Sequence, residues 1–282
     1  MVSSTYDGVS YALNLRLPYD TPVGKPKITV AICTYGRPES LDVTLKSLEH
    51  QTYDSFEVVL ITEKGNLSEL RDKGLRTSAG DITILLDDDV YCQPTWLQAV
   101  ADAFKEEGVV GVTGPTIITE EYKKNRDCFK FKKLSDLQGW LFKVPSEPGR
   151  LSPYGTPSMA SNYAGCTYEG EVDYLECCNM AVKRKEAIEV GGFDYDYIKT
   201  SEWCELDLSL RLRKKGRLVF RQACAIEHRP SKAGIYTNRL KTNHRWLNFM
   251  RFQKKWVKPG LLTYTYRAFI WTYLKIKDLR MI

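Results

Sequence analysis

The chain has 282 residues, of which 43% are hydrophobic and 27% are charged, and its formal net charge is +6. This composition is typical of a folded protein with a full hydrophobic core, and it excludes a disordered or fibrous chain. Eight cysteines occur without a CxxC pair. This usage predicts reduced thiols in a cytoplasmic compartment rather than a disulfide framework.

No signal peptide is recognised at the start, and no uncharged apolar stretch of about 18 residues occurs, so we expect no membrane-spanning helix. Lysine and arginine concentrate in 211–217 and 239–280. A basic tail is typical of chains that meet phosphate groups on nucleic acid, on an anionic membrane surface or on a substrate. Solvated helix faces are the alternative explanation.

Residues 1–26 are polar, contain three prolines and are predicted to form a surface extension. Beyond them, continuous apolar runs alternate with segments of helical periodicity. The patterns predict strands over 27–35, 56–62, 81–87 and 109–119, and helices over 37–51, 67–80 and 94–108. Gly80 is expected to stop the second helix. Alternating strands and helices of this kind predict an α/β fold with a buried, mostly parallel sheet.

The middle of the chain, 120–175, is less regular and is interpreted as an insertion or a mobile loop region. The following segment predicts a helix over 201–216, with Ser201 as its N-cap and Gly216 as its stop. Residues 239–282 are predicted to be helical and rich in aromatic side chains. The remaining predicted elements are a strand, a short helix and a Gly-Gly turn within 174–194, and a strand over 217–228.

Polar side chains follow three of the predicted strands. They are Thr34 to Arg37, Glu63, and the run Asp87 to Asp89. Ligands of open α/β sheets bind in the crevice at the carboxyl ends of the strands. A shared site at this edge explains three polar strand ends together, whereas a solvated turn would explain only one of them.

The three consecutive aspartates are the strongest candidate for a metal site. In an extended segment residues i and i+2 point the same way, so Asp87 and Asp89 can face one ligand while Asp88 turns aside. Paired carboxylates favour Mg²⁺ or Mn²⁺, and a charged turn is the alternative. The chain has no GxxxxGK[ST] and no GxGxxG motif. A bound nucleotide would therefore need the metal to hold its phosphates.

Two further groups are candidates on chemical grounds. Glu202, Glu205 and Asp207 lie early in a predicted helix, where a carboxylate could act as a general base or could simply compensate the helix dipole. His228 ends a predicted strand, where it could bind a metal or could be a polar residue at the start of a loop.

Six segments of the chain form a recognisable series. They are "ICTYGRP" (32–38), "ITEKGN" (61–66), "LRDKGL" (70–75), "GDITILLDDDV" (80–90), "NMAVKRKEAIEVGGFD" (179–194) and "CELDLSLRLRKKG" (204–216). Their order and spacing resemble the family 2 glycosyltransferases of GT-A fold. Cys204 and Glu205 stand where the family usually carries Glu and Asp, and Glu63 stands where an aspartate pair is more usual.

The resemblance implies an inverting transfer from a nucleotide-diphosphate sugar, with UDP favoured, to a glycan or lipid-linked acceptor, assisted by Mg²⁺ or Mn²⁺. It implies Glu205 as the general base, and Asp89 with His228 as metal ligands. It further implies a nucleotide-binding set of Thr34, Tyr35, Arg37, Glu63, Arg71, Asp87 and Asp88, and an acceptor or sugar-binding set of Asp194, Glu202 and Trp203.

The resemblance also divides the chain. Residues 27–238 would form the catalytic domain, with a nucleotide-binding half over 27–119 and an acceptor-binding half over 120–238. The tail, 239–282, interleaves aromatic and basic residues, which favours a peripheral position at a membrane surface. Helices that pack against the domain or a second subunit are the alternative. No recognised nucleic-acid motif accompanies the tail.

Two other functions are compatible with a metal-dependent α/β sheet. A sugar nucleotidyltransferase would need a glycine-rich first loop for a triphosphate, whereas "CTYGRPES" (33–40) has one glycine. A catalytically silent nucleotide- or carbohydrate-binding module would bind nucleotide and metal without transferring sugar.

Overall fold

The structure is a computed structural model that describes residues 2–6, 9–13, 26–118, 139–158, 165–230 and 244–279. Within the predicted extension, β1 (Val2–Tyr6) and β2 (Val9–Leu13) form an antiparallel hairpin. The Lys- and Phe-rich part of the predicted insertion, 122–133, lies outside the described residues, as do 14–25 and 239–243.

The centre of the fold is a seven-stranded sheet with the order β4-β3-β5-β10-β7-β11-β9. β3, β4 and β5 run parallel, whereas β10 and the short edge strand β9 run antiparallel to their neighbours. The α/β class is therefore confirmed, with a sheet that is mixed. The strands are β3 (Ile28–Cys33), β4 (Phe56–Ile61), β5 (Ile82–Leu86), β7 (Val109–Thr113), β9 (Gly170–Glu171), β10 (Asn179–Lys183) and β11 (Arg217–Phe220).

A second sheet of three strands has the order β6-β12-β8 and consists of β6 (Val90–Cys92), β8 (Thr116–Ile117) and β12 (Ile226–His228).

Two predicted strands are thus wrong in extent, because 109–119 and 217–228 each break and pass from the central sheet to this one. At the first break, Pro115 has no N–H for a ladder, and a Cβ on Gly114 would lie 2.4 Å from the Cys224 carbonyl oxygen. A 3₁₀ turn, Gln222–Cys224, makes the second break.

Helices cover both faces of the central sheet and form the C-terminal part of the chain. They are α1 (Pro38–Glu49), α2 (Leu67–Thr77), α3 (Trp96–Ala103), α4 (Arg184–Glu189), α5 (Cys204–Leu212), α6 (His244–Trp256) and α7 (Leu261–Leu279). The predicted helical tail is confirmed over its described residues. None of the helices in the described segments combines the length and the apolar composition that a bilayer crossing needs.

Two predicted helix ends are wrong. α2 ends at Thr77, before Gly80, where a Cβ would lie 2.7 Å from the Lys27 carbonyl oxygen at the edge of β3. α5 begins after Trp203, which adopts a left-handed conformation at φ 70°, and Ser201 is not its N-cap. The Ser201 hydroxyl instead accepts the Ser68 N–H at 3.0 Å, so that it links this turn to the start of α2.

The two faces of the sheet bury separate hydrophobic cores. Along β3, Val30 and Ile32 enter the core on the side of α1 and α3, whereas Ala31 enters the core on the side of α2 and α5. This alternation follows from the two-residue period of a strand. A third, smaller aromatic cluster joins Phe142 to Phe249 of α6 and Tyr266 of α7.

Helix α1 holds the start of β6 through a buried side chain. The Thr44 hydroxyl donates to the Val90 carbonyl oxygen at 2.9 Å and accepts the Val90 N–H at 3.1 Å. Val90 directly follows the aspartate run, so the hydroxyl fixes the backbone where the polar segment ends. Ser47 adds a second link by accepting the Cys92 N–H at 3.2 Å.

Replacing Thr44 with valine should lower the free energy of unfolding by about 2 to 4 kcal/mol, because it leaves two buried backbone groups of Val90 without their partner. Urea unfolding measures this loss. Thr265→Val is the matched control, since the exposed Thr265 hydroxyl bonds only within its own helix and its loss should cost less than about 0.5 kcal/mol. Equal losses in both variants would contradict the role assigned to Thr44.

Candidate active site

The polar strand ends meet at one edge of the central sheet. β3 and β5 are parallel neighbours, so Thr34 and Asp87 follow them at the same edge. β10 runs the other way and pairs Asn179 with Leu86, which brings its first residues to that edge too. The convergence expected from the sequence is therefore present.

The most acidic point of this edge is a cluster of Asp87, Asp89 and His228. One ligand atom from each residue lies within 4.8 Å of the others. β12 places His228 opposite Val90, and His228 Nε2 lies 3.0 Å from Asp89 Oδ1. Two carboxylates and an imidazole are ligands suited to Mn²⁺ or Mg²⁺. The side chains at i and i+2 thus face together, as the sequence predicted.

Asp88 points into the protein and is fully buried. Arg37 Nη2 lies 2.5 Å from Asp88 Oδ1, and Arg37 Nη1 lies 3.4 Å from Asp89 Oδ2. Burial raises the pKa of Asp88 to about 7, and the nearby Arg37 offsets this only in part. In this position Asp88 holds Arg37, and a contact between Asp88 and a ribose would require the side chain to become exposed.

Arg71 connects the acidic cluster to helix α5. Its side chain is buried, with Nη2 at 3.7 Å from Asp87 Oδ1 and Nη1 at 3.7 Å from Cys204 Sγ. Burial alone would lower the pKa of Arg71, but Cys177, Cys204, Asp87 and Glu205 raise it above its ordinary value. The guanidinium is thus a fixed positive charge between the candidate metal ligands and the candidate base.

Glu205 and its rival Glu202 differ in their surroundings. Glu205 lies in the first turn of α5, half-buried, with Oε2 at 3.6 Å from Cys204 Sγ. Glu202 precedes the helix, and its carboxylate contacts Arg245 at 3.5 Å and Asn248 at 3.4 Å, both in α6. Of the two glutamates, Glu205 is therefore the one near Arg71, whereas Glu202 is bound to side chains of α6.

The other two residues of the predicted acceptor set also contact α6. Asp194 forms an ion pair with Arg251 at 2.9 Å and with Lys255 at 3.3 Å. Burial raises the pKa of Asp194, but the hydrogen bonds from Arg251 and Lys255 outweigh it and lower the pKa below its ordinary value. The Trp203 ring packs 5.5 Å from that of Phe249. An acceptor contact by these residues stays a prediction.

The predicted nucleobase residues lie at the ends of β3 and β4. Thr34 is buried and donates its N–H to the Ile61 carbonyl oxygen at 3.0 Å, whereas Tyr35 is 58% exposed. The Glu63 side chain is 57% exposed and forms an ion pair with Lys73. An exposed carboxylate and an exposed ring beside the acidic cluster leave room for a flat heterocycle, and their role stays a prediction.

Sequence reasoning missed the thiols of this edge. Cys177 and Cys204 lie beside Glu205, with one ligand atom from each of the three residues within 4.8 Å of the others. The adjacent pair "CC" before β10, together with a cysteine at a position where the resemblance implies glutamate, was the available signal.

A cavity of about 620 Å³ lies at the opposite edge of the sheet, between the start of β5 and the end of β10. Basic side chains of Lys105, Lys183 and Arg184 line it. The carboxylates and the histidine described above belong to the other edge, so this cavity is separate from the candidate site.

Replacing Arg37 with methionine should lower the free energy of unfolding at pH 8 by about 3 to 5 kcal/mol, because Asp88 loses its compensating charge and must then either stay ionised without a partner or take up a proton in the folded state. The double variant R37M/D88N should lose less than the sum of the two single variants. Guanidinium unfolding of all four proteins measures this coupling. Lys46→Met, which breaks an exposed pair with Asp42, is the control and should cost less than about 1 kcal/mol. If the losses of stability in the two single variants simply add in the double variant, the pairing of Arg37 with Asp88 is contradicted.

Residues 60–161 match the sequence model of the family described as "Glycosyl transferase family 2". A curated relative, the glucosyl-dolichyl phosphate glucuronosyltransferase of Haloferax volcanii, is 22% identical over 60% of this chain and 56% of its own length. The chain thus spans little more than half of that relative.

Solved structures share the fold. The mannosyltransferase PcManGT from Pyrobaculum calidifontis, in complex with GDP-Man and Mn²⁺, is 15% identical, with a TM-score of 0.52 over 92% of this chain and 74% of its own. GalNAc-T7 with UDP, GalNAc and Mn²⁺ is 11% identical (TM-score 0.52, 82% and 48% covered). TarS of S. aureus is 13% identical (TM-score 0.53, 80% and 39% covered). The matched segment and the relative support the assignment of an enzyme of the family 2 glycosyltransferases, and the solved structures show the α/β fold that these proteins share.

Proposed function

We propose that the chain transfers a sugar from a nucleotide-diphosphate sugar, with a UDP-sugar favoured, to an acceptor hydroxyl, with inversion at the anomeric carbon. The observation that carries this proposal is the position of Arg71. Its guanidinium contacts Asp87 on the metal side and Cys204, next to Glu205, on the base side. The donor and the acceptor can therefore bind on the two sides of the buried Arg71 guanidinium, close to each other.

The donor side is suited to a diphosphate with its divalent metal. Asp87, Asp89 and His228 supply hard ligands within 4.8 Å of one another, and Arg37 holds Asp89 from behind. A bound Mg²⁺ or Mn²⁺ would supply charge stabilisation for the departing diphosphate. PcManGT with GDP-Man and GalNAc-T7 with UDP each also contain Mn²⁺, which supports a divalent ion at this edge.

The nucleobase would lie over the ends of β3 and β4. Tyr35 offers an exposed ring for stacking, and the Glu63 carboxylate can accept the N3–H of uracil. Thr34 and Arg37 would border the same pocket. This arrangement favours a uracil base and would place the diphosphate beside Asp87.

The acceptor side is assigned to Glu205. Its carboxylate takes the proton of the acceptor hydroxyl as the oxygen forms its bond to the anomeric carbon. The bond from that carbon to the diphosphate oxygen breaks on the opposite face, so the transition state resembles an oxocarbenium ion. The diphosphate leaves as an anion, and the Arg71 guanidinium, 3.7 Å from Asp87, supplies a positive charge on that side of the site.

The acceptor is proposed to be lipid-linked. One face of α7 exposes Leu261, Tyr264 and Trp271, at helical spacing, and Leu261 is 83% exposed. Lys254 and Lys258, just before this helix, are also exposed. Apolar and aromatic side chains beside lysines are typical of helices that lie at a membrane surface. The name of the Haloferax relative refers to glucosyl-dolichyl phosphate, which is a lipid-linked sugar.

Glu205→Gln should reduce turnover at least about 100-fold, because the amide cannot accept the proton, while the Kd for the donor with Mn²⁺ changes by less than about 3-fold. Asp89→Asn should show the opposite pattern and weaken Mn²⁺-dependent donor binding about 10-fold or more. Calorimetry with UDP-sugars and a product assay separate the two effects.

The control for these variants is Glu202→Gln. Glu202 contacts Arg245 and Asn248, so this change should affect stability more than turnover. Normal turnover by the Glu205 variant, or loss of turnover in the Glu202 variant alone, would contradict the assignment of Glu205 as the general base.

Membrane binding by α7 is tested with the double variant Leu261→Ser and Trp271→Ser. Both side chains are exposed, so the fold should be kept, and binding to vesicles that contain anionic phospholipid should fall about 30-fold, since about 2 kcal/mol of apolar transfer is lost. Flotation measures the bound fraction. Val43→Ser, an exposed apolar residue of α1, is the control. Equal binding by all three proteins would reject the proposal.

A further inference from the structure

A second cluster of metal-binding atoms lies beside the candidate base. Cys177 Sγ, Cys204 Sγ and a carboxylate oxygen of Glu205 all lie within 4.8 Å of one another. Cys177 is 6% exposed and Cys204 is fully buried. The two thiols come from different elements, the segment before β10 and the first turn of α5, so the cluster depends on tertiary packing and not on a local sequence motif.

The distances suit a tetrahedral soft metal. With a Zn–S bond of about 2.3 Å, two ligands of a tetrahedron lie about 3.8 Å apart. Cys204 Sγ and Glu205 Oε2 already lie 3.6 Å apart, and the two sulfur atoms lie within 4.8 Å of each other. Shifts of about 1 Å or less in side chains would therefore complete three ligand positions.

The charges of the site also balance for a divalent ion. Two thiolates and one carboxylate carry three negative charges, and Arg71, 3.7 Å from Cys204 Sγ, carries one positive charge. A divalent metal supplies the remaining two. Charges in a buried site must be compensated, and once the two thiols are deprotonated this set is compensated only with the metal bound. Binding releases the two thiol protons to solvent.

We propose that Cys177, Cys204 and Glu205 form a binding site for a soft divalent cation of the Zn²⁺ class, distinct from the Asp87, Asp89 and His228 cluster. The two clusters share no ligand, and the Arg71 guanidinium lies between them. They also differ in chemistry, since thiolates select Zn²⁺ or Cd²⁺ whereas carboxylates select Mg²⁺ or Mn²⁺.

The site has a consequence for turnover that rests on the proposed function. A cation bound to Glu205 occupies the carboxylate oxygen that would otherwise take the proton from the hydroxyl group of the acceptor. Zn²⁺ should therefore inhibit transfer in the presence of saturating Mn²⁺, whereas more Mn²⁺ should not restore it.

The site is tested by titrating the full chain with Cd²⁺ in excess Mg²⁺ and recording the ultraviolet charge-transfer absorbance of Cd–thiolate bonds. The parent protein should bind one equivalent at this site. Cys177→Ala and Cys204→Ala should each weaken binding at least about 10-fold. The matched control is Cys178→Ala, because Cys178 is the neighbour of Cys177 but its Sγ lies 3.4 Å from Thr116 Oγ1.

Undiminished Cd²⁺ binding in the Cys177 and Cys204 variants, or an equal loss in the Cys178 variant, would overturn the site. The Cys177 and Cys204 variants should keep the unfolding curve and the Mn²⁺ affinity of the parent protein. These two measurements test whether the fold and the cluster of Asp87, Asp89 and His228 are intact. The absorbance does not depend on turnover. If Cd²⁺ binds as expected but Zn²⁺ leaves transfer unchanged, the metal site stands and the role of Glu205 as the base fails.

Discussion

The neutralisation of the aspartate run is the constraint on which the candidate site depends. Three adjacent carboxylates repel one another, and one of them, Asp88, is fully buried. Two arginines from different parts of the chain compensate them, with Arg37 at Asp88 and Asp89 and Arg71 at Asp87. A buried charge without a partner is far costlier than a buried pair. The start of α1, the start of α2 and the end of β5 are therefore fixed relative to one another.

This arrangement assigns different tasks to the three aspartates. Asp88 and Arg37 form the buried support, and Asp87 and Asp89 present their carboxylates on the other side. Thr44 supports the same segment from α1 by holding both backbone groups of Val90. A ligand site with a rigid supporting layer keeps its geometry when the ligand is absent, and this lowers the cost of binding.

The sequence predicts the local part of this geometry well. Apolar runs locate β3, β4 and β5, and their parallel pairing then brings Thr34 and Asp87 to one edge. The period of two predicts that Asp88 turns away from its neighbours. These results need only patterns within a few residues of each other, which is why they can be derived without a structure.

The remaining features depend on contacts between distant segments. His228 reaches Asp89 because the chain leaves the central sheet after β11 and pairs β12 with β6, and no local pattern marks that change of sheet. The insertion of β10 antiparallel between β5 and β7 is equally invisible, because a buried strand has the same apolar run in either direction. The Ser201 hydroxyl, which the local pattern predicts to cap α5, is bonded to the start of α2.

The replacement of an acid by Cys204 affects the charge around Arg71. A carboxylate at this position would lie close to the guanidinium and would pair with it, because Cys204 Sγ is only 3.7 Å from Nη1. The Arg71 guanidinium also interacts with Asp87 and with Glu205. The same sulfur, together with Cys177, adds soft ligands beside Glu205 in the first turn of α5. Cys204 thus lies between the Arg71 guanidinium and Glu205, the proposed base, and it supplies one of the soft ligands of the proposed second metal site.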